Sequence, residues 1–183
     1  MVYIAADKHG FKVIRFVEEY LKSHNIPFEN LGVRKEGDDM KLEDMIPPLV
    51  EKVRENENEA PRAYARGIFS FFGGAKSAEA SSHSSPIKSG YSAKADNLGI
   101  FSCGTGVGVE VGANKFSGIR ACLATTSKIA EWSKIYDNCN VLCLVGWETD
   151  KKTVENILDA WFSAEYDGDQ HRLNMMKAFD SWH

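Results

Sequence analysis

Apolar positions along the chain form short continuous runs that alternate with stretches in which they recur every three to four residues. Val2–Ala6 is the first run, and Phe11, Ile14, Val17 and Leu21 then repeat at helical spacing, which predicts a strand, a turn and a helix. Pro27–Leu31 predicts a second strand. Ile46, Leu49, Val50 and Val53 mark another helical face, with Pro47 and Pro48 expected in its first turn, where a missing N–H has no helical partner to lose. After a long interruption the alternation resumes with strand Leu98–Ser102, helix Val109–Lys115, strand Ile119–Ala124, helix Ser127–Tyr136, strand Val141–Val145 and helix Thr153–Ala164. Strands that are apolar throughout belong to a sheet covered on both faces, and strands separated by helices are joined in parallel. The expected fold is α/β: a single domain over 1–183, a Rossmann-like three-layer sandwich around a five-stranded parallel sheet, with a C-terminal helix.

Residues 57–97 break the rhythm. Ala, Ser and Gly dominate Gly73–Ser92 and no periodic apolar face appears, which predicts an irregular insertion. Ile68, Phe69, Phe71 and Phe72 form an apolar knot within it that a purely solvated linker would not carry. A surface loop, a lid over the site and a subunit contact are the open alternatives.

Charge and composition narrow the function classes. The net charge of −4 comes from interspersed acidic and basic residues, with no basic stripe, so nucleic acid is not expected as a partner. No apolar run approaches the roughly 20 residues that a membrane span needs. The run Met1–Ala6 is followed at once by Asp7, Lys8 and His9, unlike a signal peptide. Cys103, Cys122, Cys139 and Cys143 sit mostly inside apolar, strand-like segments, as reduced thiols of a cytoplasmic protein do. His24, His83 and His183 are scattered without ligand spacing, so no metal is expected.

Ligands of an open parallel sheet collect outside the carboxyl ends of its strands. The predicted loops there are Asp7–Gly10, Cys103–Gly108, Thr125–Thr126 and Gly146–Thr149. In Cys103-Gly104-Thr105-Gly106-Val107-Gly108 a strand gives way to a helix, so the glycines let backbone N–H groups converge on an anion or oxyanion. A cysteine there gains thiolate character, which places a base beside oxyanion donors, as proton abstraction next to a carbonyl requires. The plainer alternative is a small buried hydrophobe at a strand end. The G-x-G-x-G spacing after a middle strand is not a dinucleotide fingerprint, and no cofactor is expected.

Ile100–Gly108, continued by Ala113-Asn114-Lys115-Phe116-Ser117-Gly118-Ile119-Arg120-Ala121, resembles the signature of the ribose-5-phosphate isomerase B and galactose-6-phosphate isomerase family. Ile4–Asp7 with Gly10-Phe11, Asn140-Val141-Leu142 and Asp159-Ala160-Trp161-Phe162 support it. The resemblance spans most of 1–55 and 98–176. It implies a cofactor-free aldose–ketose isomerisation in which Cys103 moves a proton between C1 and C2 through a cis-enediolate. It further implies that the amides of Gly104, Thr105, Gly106, Val107 and Gly108 hold the oxyanion, and that Asp7, Lys8 and His9 contact the substrate. A homodimer or tetramer is implied too, with the segment 167–183 reaching into the site of the partner subunit.

Several family positions differ here. Lys8 stands at a histidine of the first loop, and His9 follows. Tyr136 stands where the family has the histidine that assists ring opening, and a phenol, with an ordinary pKa of about 10, is a poorer proton shuttle at neutral pH. Asp137 is expected to hold a sugar hydroxyl. The positions of the phosphate-gripping arginines hold Trp147, Gln170 and Asn174, while His171 is kept and Arg172 is shifted. Trp147 can stack on a sugar face or simply pack. Glu110, about 100° around the helix from Val109, is expected to point away from the thiol. Three readings follow: an isomerase of an unphosphorylated or unusual sugar, an isomerase that still engages phosphate through Lys8, Lys115 or Arg172, and a non-catalytic sugar-binding or partner subunit.

Overall fold

The computed structural model describes residues 1–55 and 97–182. Its elements are β1 (Val2–Ala6), α1 (Phe11–Ser23), β2 (Phe28–Asn30), α2 (Leu42–Arg54), β3 (Leu98–Cys103), α3 (Val107–Ala113), β4 (Ala121–Leu123), α4 (Ser127–Asp137), β5 (Val141–Val145), α5 (Lys151–Ser163) and α6 (Gln170–Asp180). The strands pair in parallel in the order β2-β1-β3-β5-β4. Strand alternation sends Val2, Ile4, Ile100, Leu142 and Leu144 to one face, where Val13, Val17, Leu21, Leu158 and Trp161 of α1 and α5 cover them, with Ala130 of α4 alongside. Tyr3, Ala5, Phe101, Cys103, Val141 and Cys143 point to the other face, under Met45, Leu49 and Val53 of α2 and Val109 and Ala113 of α3. The expected three-layer α/β sandwich is therefore the observed one.

Where boundaries differ, local hydrogen bonds explain it. Helix α3 begins at Val107 rather than Val109, because Gly106 adopts φ +75° and turns the chain into the helix two residues early. Strand β4 is shorter than Ile119–Ala124. The Arg120 N–H donates to Asn140 Oδ1 and the Ala121 N–H to Asn114 Oδ1, so side chains take over the pairing at its start. Helix α2 begins at Leu42, so Pro47 and Pro48 lie inside it rather than in its first turn. Leu49, Val50 and Val53 beyond them are buried, and that packing holds the helix together across the two missing donors.

Asn97 closes the gap before β3 by donating from Nδ2 to the Lys52 carbonyl at 2.7 Å. The rest of the expected insertion, including Ile68, Phe69, Phe71 and Phe72, lies outside the described residues. Helix α6 folds against its own chain: Ser117 Oγ donates to the Asp180 carbonyl, the Gly118 N–H donates to Asp180 Oδ1, and Met176 is buried. Phe179 and Trp182 remain exposed. No helix among the described residues is long and apolar enough to cross a membrane.

Candidate functional site

From β1 the chain turns outward to β2, and from β3 it turns the opposite way, over β5 to β4. The crevice of an open parallel sheet forms at such a switch, outside the carboxyl ends of the two strands. The turns there are Asp7–Gly10 after β1 and Cys103–Gly106 after β3. The Gly146–Trp147 turn after β5 joins them: the Gly146 N–H donates to the Cys103 carbonyl at 2.8 Å, and the Trp147 N–H to the Gly104 carbonyl at 3.0 Å. The three turns touch through bare backbone. A Cβ at Gly10 would stand 2.2 Å from the Ser102 carbonyl oxygen, and one at Gly146 only 2.4 Å from the His9 carbonyl oxygen.

Cys103 ends β3 with only 5 % of its surface exposed, and its side chain lies on the α2–α3 face of the sheet. Its Sγ faces the first turn of α3, at 3.9 Å from where a Cβ on Gly108 would sit. Thr105 serves its own turn, Oγ1 accepting from the Val107 N–H at 3.3 Å. Glu110 does turn away from the thiol, as expected, and accepts the Leu123 N–H at 2.9 Å.

Asp7 Oδ1 accepts the N–H groups of His9 and Gly10 at 2.9 and 2.8 Å, so this carboxylate shapes the turn that leads into α1. Lys8 Nζ reaches Asp39 at 2.8 Å, and the hydrogen bond and charge of that carboxylate raise the lysine pKa above its ordinary value. The His9 ring meets the Trp147 indole edge-on, centroids 5.6 Å apart. That indole lies directly over Gly104, where a Cβ would come within 2.6 Å of Cε2, yet it is 52 % exposed. His9 and Trp147 thus form an aromatic rim beside the Cys103 turn.

Asp7, Lys8, His9, Cys103, Gly104, Thr105, Gly106, Val107, Gly108 and Trp147 gather at this one edge. Tyr136, Asp137, His171 and Arg172 do not. Helix α4 starts beyond the carboxyl end of β4 and runs back, so its last turn, with Tyr136 and Asp137, lies toward the strands' amino ends. Arg172 stacks on Tyr136 at 4.7 Å and pairs with Asp167, which places the start of α6 there as well.

Comparison with known proteins bears on what this edge is for. A family model described as Ribose/Galactose Isomerase matches residues 75–177, more than half of the chain. The chain belongs to that family. The match takes in residues 75–97, part of the stretch set aside above as an insertion. Ribose-5-phosphate isomerase B of Escherichia coli is 39 % identical over 74 residues, which are 40 % of this chain and 50 % of that protein. A probable ribose-5-phosphate isomerase B of Mycoplasma genitalium is 26 % identical over 177 residues, 96 % of this chain and 91 % of the relative. The crystal structure of the M. genitalium enzyme with bound ribulose-5-phosphate superposes with a TM-score of 0.72 at 24 % identity, covering 98 % of this chain and 94 % of that one.

In this member of the ribose/galactose isomerase family, the sequence places Gly10 and Gly146 in the crevice loops but gives neither a role, and it gives no sign of Leu42. Gly146 and Gly10 join the turns, and Leu42 of α2 backs the first turn of α3, where a Cβ on Gly108 would meet its Cδ1 at 2.8 Å. A glycine directly after the apolar run of β5 was the available signal for the first. Removing the Asp7 carboxylate tests the architecture of its turn. Asp7→Ala frees two backbone donors and is expected to cost about 1 kcal/mol in urea unfolding, whereas Asp7→Asn, which retains an acceptor, should recover most of it.

Proposed function

We propose that the chain is an aldose–ketose isomerase acting on a sugar or sugar phosphate, with Cys103 as the base. The observation that carries this reading is the convergence of the Cys103–Gly106, Asp7–Gly10 and Gly146–Trp147 turns at the sheet's switch point, in a member of the ribose/galactose isomerase family. The Cys103 thiolate takes the proton from C2 of the open-chain aldose and returns it to C1 of the cis-enediolate, while the proton of the C2 hydroxyl passes to the C1 oxygen, so that C2 becomes the carbonyl and C1 the alcohol. Amides of the Gly104–Gly108 segment hold the enediolate oxygen while charge develops on it. The Val107 N–H, engaged by Thr105 in the free protein, becomes available when the threonine hydroxyl rotates. Asp7, Lys8 and His9 border the sugar, and Trp147 offers an indole face to its C–H surface.

Tyr136, Asp137, His171 and Arg172 enter this reading only from a second copy of the chain, because their own subunit holds them at the opposite edge. A homodimer with shared sites is therefore part of the proposal. A monomer in light scattering that still turns over substrate would remove those four residues from the reaction.

A panel of aldoses and ketoses, phosphorylated and not, tests the activity. Interconversion of at least one pair is expected, and silence across the panel favours the non-catalytic sugar-binding subunit. The phosphate contribution is read from melting temperature, since ligand binding stabilises the native state by mass action. Trp147, Gln170 and Asn174 leave no bidentate arginine clamp at the family's phosphate positions, so charge attraction is what remains. The extra stabilisation given by a sugar phosphate over its neutral sugar should thus be small and should fade as salt is raised toward ~1 M. A large, salt-insensitive increment would show a phosphate grip built from other residues.

A further inference from the structure

The chain between β2 and α2 is a further turn at the carboxyl ends of the strands, and the proposed reaction gives it no task. Its first part lies along β1: the Leu31 N–H donates to the Ile4 carbonyl at 2.8 Å and the Val33 N–H to the Ala6 carbonyl at 3.0 Å. Between them a Cβ on Gly32 would stand 2.4 Å from the Ala6 nitrogen, so the segment is seated on bare backbone just ahead of the Asp7–Gly10 turn. Asn30 fixes the approach, accepting the Gly32 N–H at 2.8 Å and donating from Nδ2 at 2.8 Å to Glu18, a buried carboxylate of α1. The far end is held as well, because Met40 packs against both cores and Leu42 backs the first turn of α3. Asp39 stands directly before that second anchor.

From this position Asp39 holds Lys8. The Lys8 Nζ donates to Asp39 Oδ2 at 2.8 Å, with the two side chains 50 % and 57 % exposed. The hydrogen bond from Lys8 holds the Asp39 carboxyl below its usual range, so both groups are charged at neutral pH. Of the three cations that the sequence offers to a phosphate, Lys8 alone lies at this edge. Arg172 stacks on Tyr136 at the opposite one, and Lys115 follows the end of α3, which runs back from the crevice. An exposed ion pair contributes little stability, so an incoming anion can open this one. The carboxylate stays on its anchored segment after the lysine has left, and it repels a phosphate that takes its place.

We propose that Asp39 is a specificity-determining residue that competes with phosphate for Lys8, and so narrows the preference of the crevice for a phosphorylated over a neutral sugar. The inference rests on the sugar site proposed above. Asp39 acts through Lys8 and touches no reacting atom, so its effect is one of charge and not of chemistry at the carbonyl.

Calorimetric titration of the full-length protein at low ionic strength with ribose-5-phosphate, ribose and inorganic phosphate tests the assignment. Expected in Asp39→Asn is a gain in affinity of about three- to tenfold for ribose-5-phosphate and for inorganic phosphate, with ribose unchanged. The gain should fade as salt is raised toward ~1 M and should vanish when Lys8→Gln is added to Asp39→Asn. Unchanged or weaker phosphate binding in Asp39→Asn, an equal gain for ribose, or a gain that survives the loss of the lysine would each overturn the proposal. So would phosphate binding in neither protein. None of these measurements needs turnover, so they stand apart from the isomerase reading, which fails if the ligands bind and no sugar of the panel is interconverted.

Discussion

Replacing Cys103 by serine is expected to lower isomerase turnover by about 10²–10⁴-fold, the usual contribution of a positioned general base, in a chain that stays folded. Serine keeps the size of the side chain and its place facing the first turn of α3, but an alcohol does not ionise near neutral pH. The informative control is Cys143→Ser. Cys143 is fully buried on the same face of the sheet, and burial pushes its thiol well above the ordinary range. A hydroxyl there loses water without gaining a partner, so stability should fall by about 1–3 kcal/mol in denaturant unfolding while turnover per folded molecule holds. Equal turnover in Cys103→Ser and the parent would take the thiol out of the reaction.

Gly146→Ala is expected to damage activity and stability together. Its new methyl would stand 2.4 Å from the His9 carbonyl oxygen, 2.8 Å from Gly10 Cα and 2.9 Å from the Cys103 carbonyl oxygen. All three are backbone atoms, so no rotamer change relieves the contact and the turns must separate. Overpacking of this kind costs about 1–3 kcal/mol. A displacement near 1 Å at the reacting centre costs on the order of 10²-fold in rate. Gly168→Ala separates backbone strain from crowding. That residue has φ +80° with open space where a Cβ would go, so it should lose about 1–2 kcal/mol and keep its turnover. Turnover in Gly146→Ala that matches the parent would mean that the third turn does not help to position the site.

The sequence is most readable where one physical rule acts alone. The wholly apolar runs Val2–Ala6 and Val141–Val145 are strands with the expected bounds, because central parallel strands bury both faces and leave no room for polar alternation. Bounds shift where a second interaction competes. Asn140 and Asn114 take hydrogen bonds that would otherwise extend β4, and the left-handed Gly106 starts α3 early, and neither effect leaves a trace in hydropathy. The Cys103 turn was legible because a residue with chemistry sits in a glycine-rich strand-to-helix loop. The separation of Tyr136 and Arg172 from that turn was not, because it depends on the direction in which α4 crosses the sheet. In the C-terminal segment Met176 is buried against its own domain, through anchors at Ser117 and Gly118 that carry no apolar signal, while Phe179 and Trp182 stay exposed.

The two prolines of α2 bear on what the candidate site rests on. Pro47 and Pro48 give the helix interior two consecutive residues without an N–H, so the carbonyls of Glu43 and Asp44 have no helical donor four residues on. The turn ahead of them therefore relies on side-chain packing for part of what the backbone ladder would otherwise supply. Because proline already holds a helical φ, ordering these residues costs less entropy than it would for other types, which offsets part of the lost hydrogen bonding. Leu42 and Ile46 ride on that turn, and they are the side chains that a Cβ at Gly108 or Gly112 would strike, at 2.8 and 2.4 Å. Helix α3, whose first turn faces Cys103, therefore rests on side chains carried by the one turn of α2 where the ladder is interrupted, so the footing of the site is set by packing as well as by hydrogen bonds.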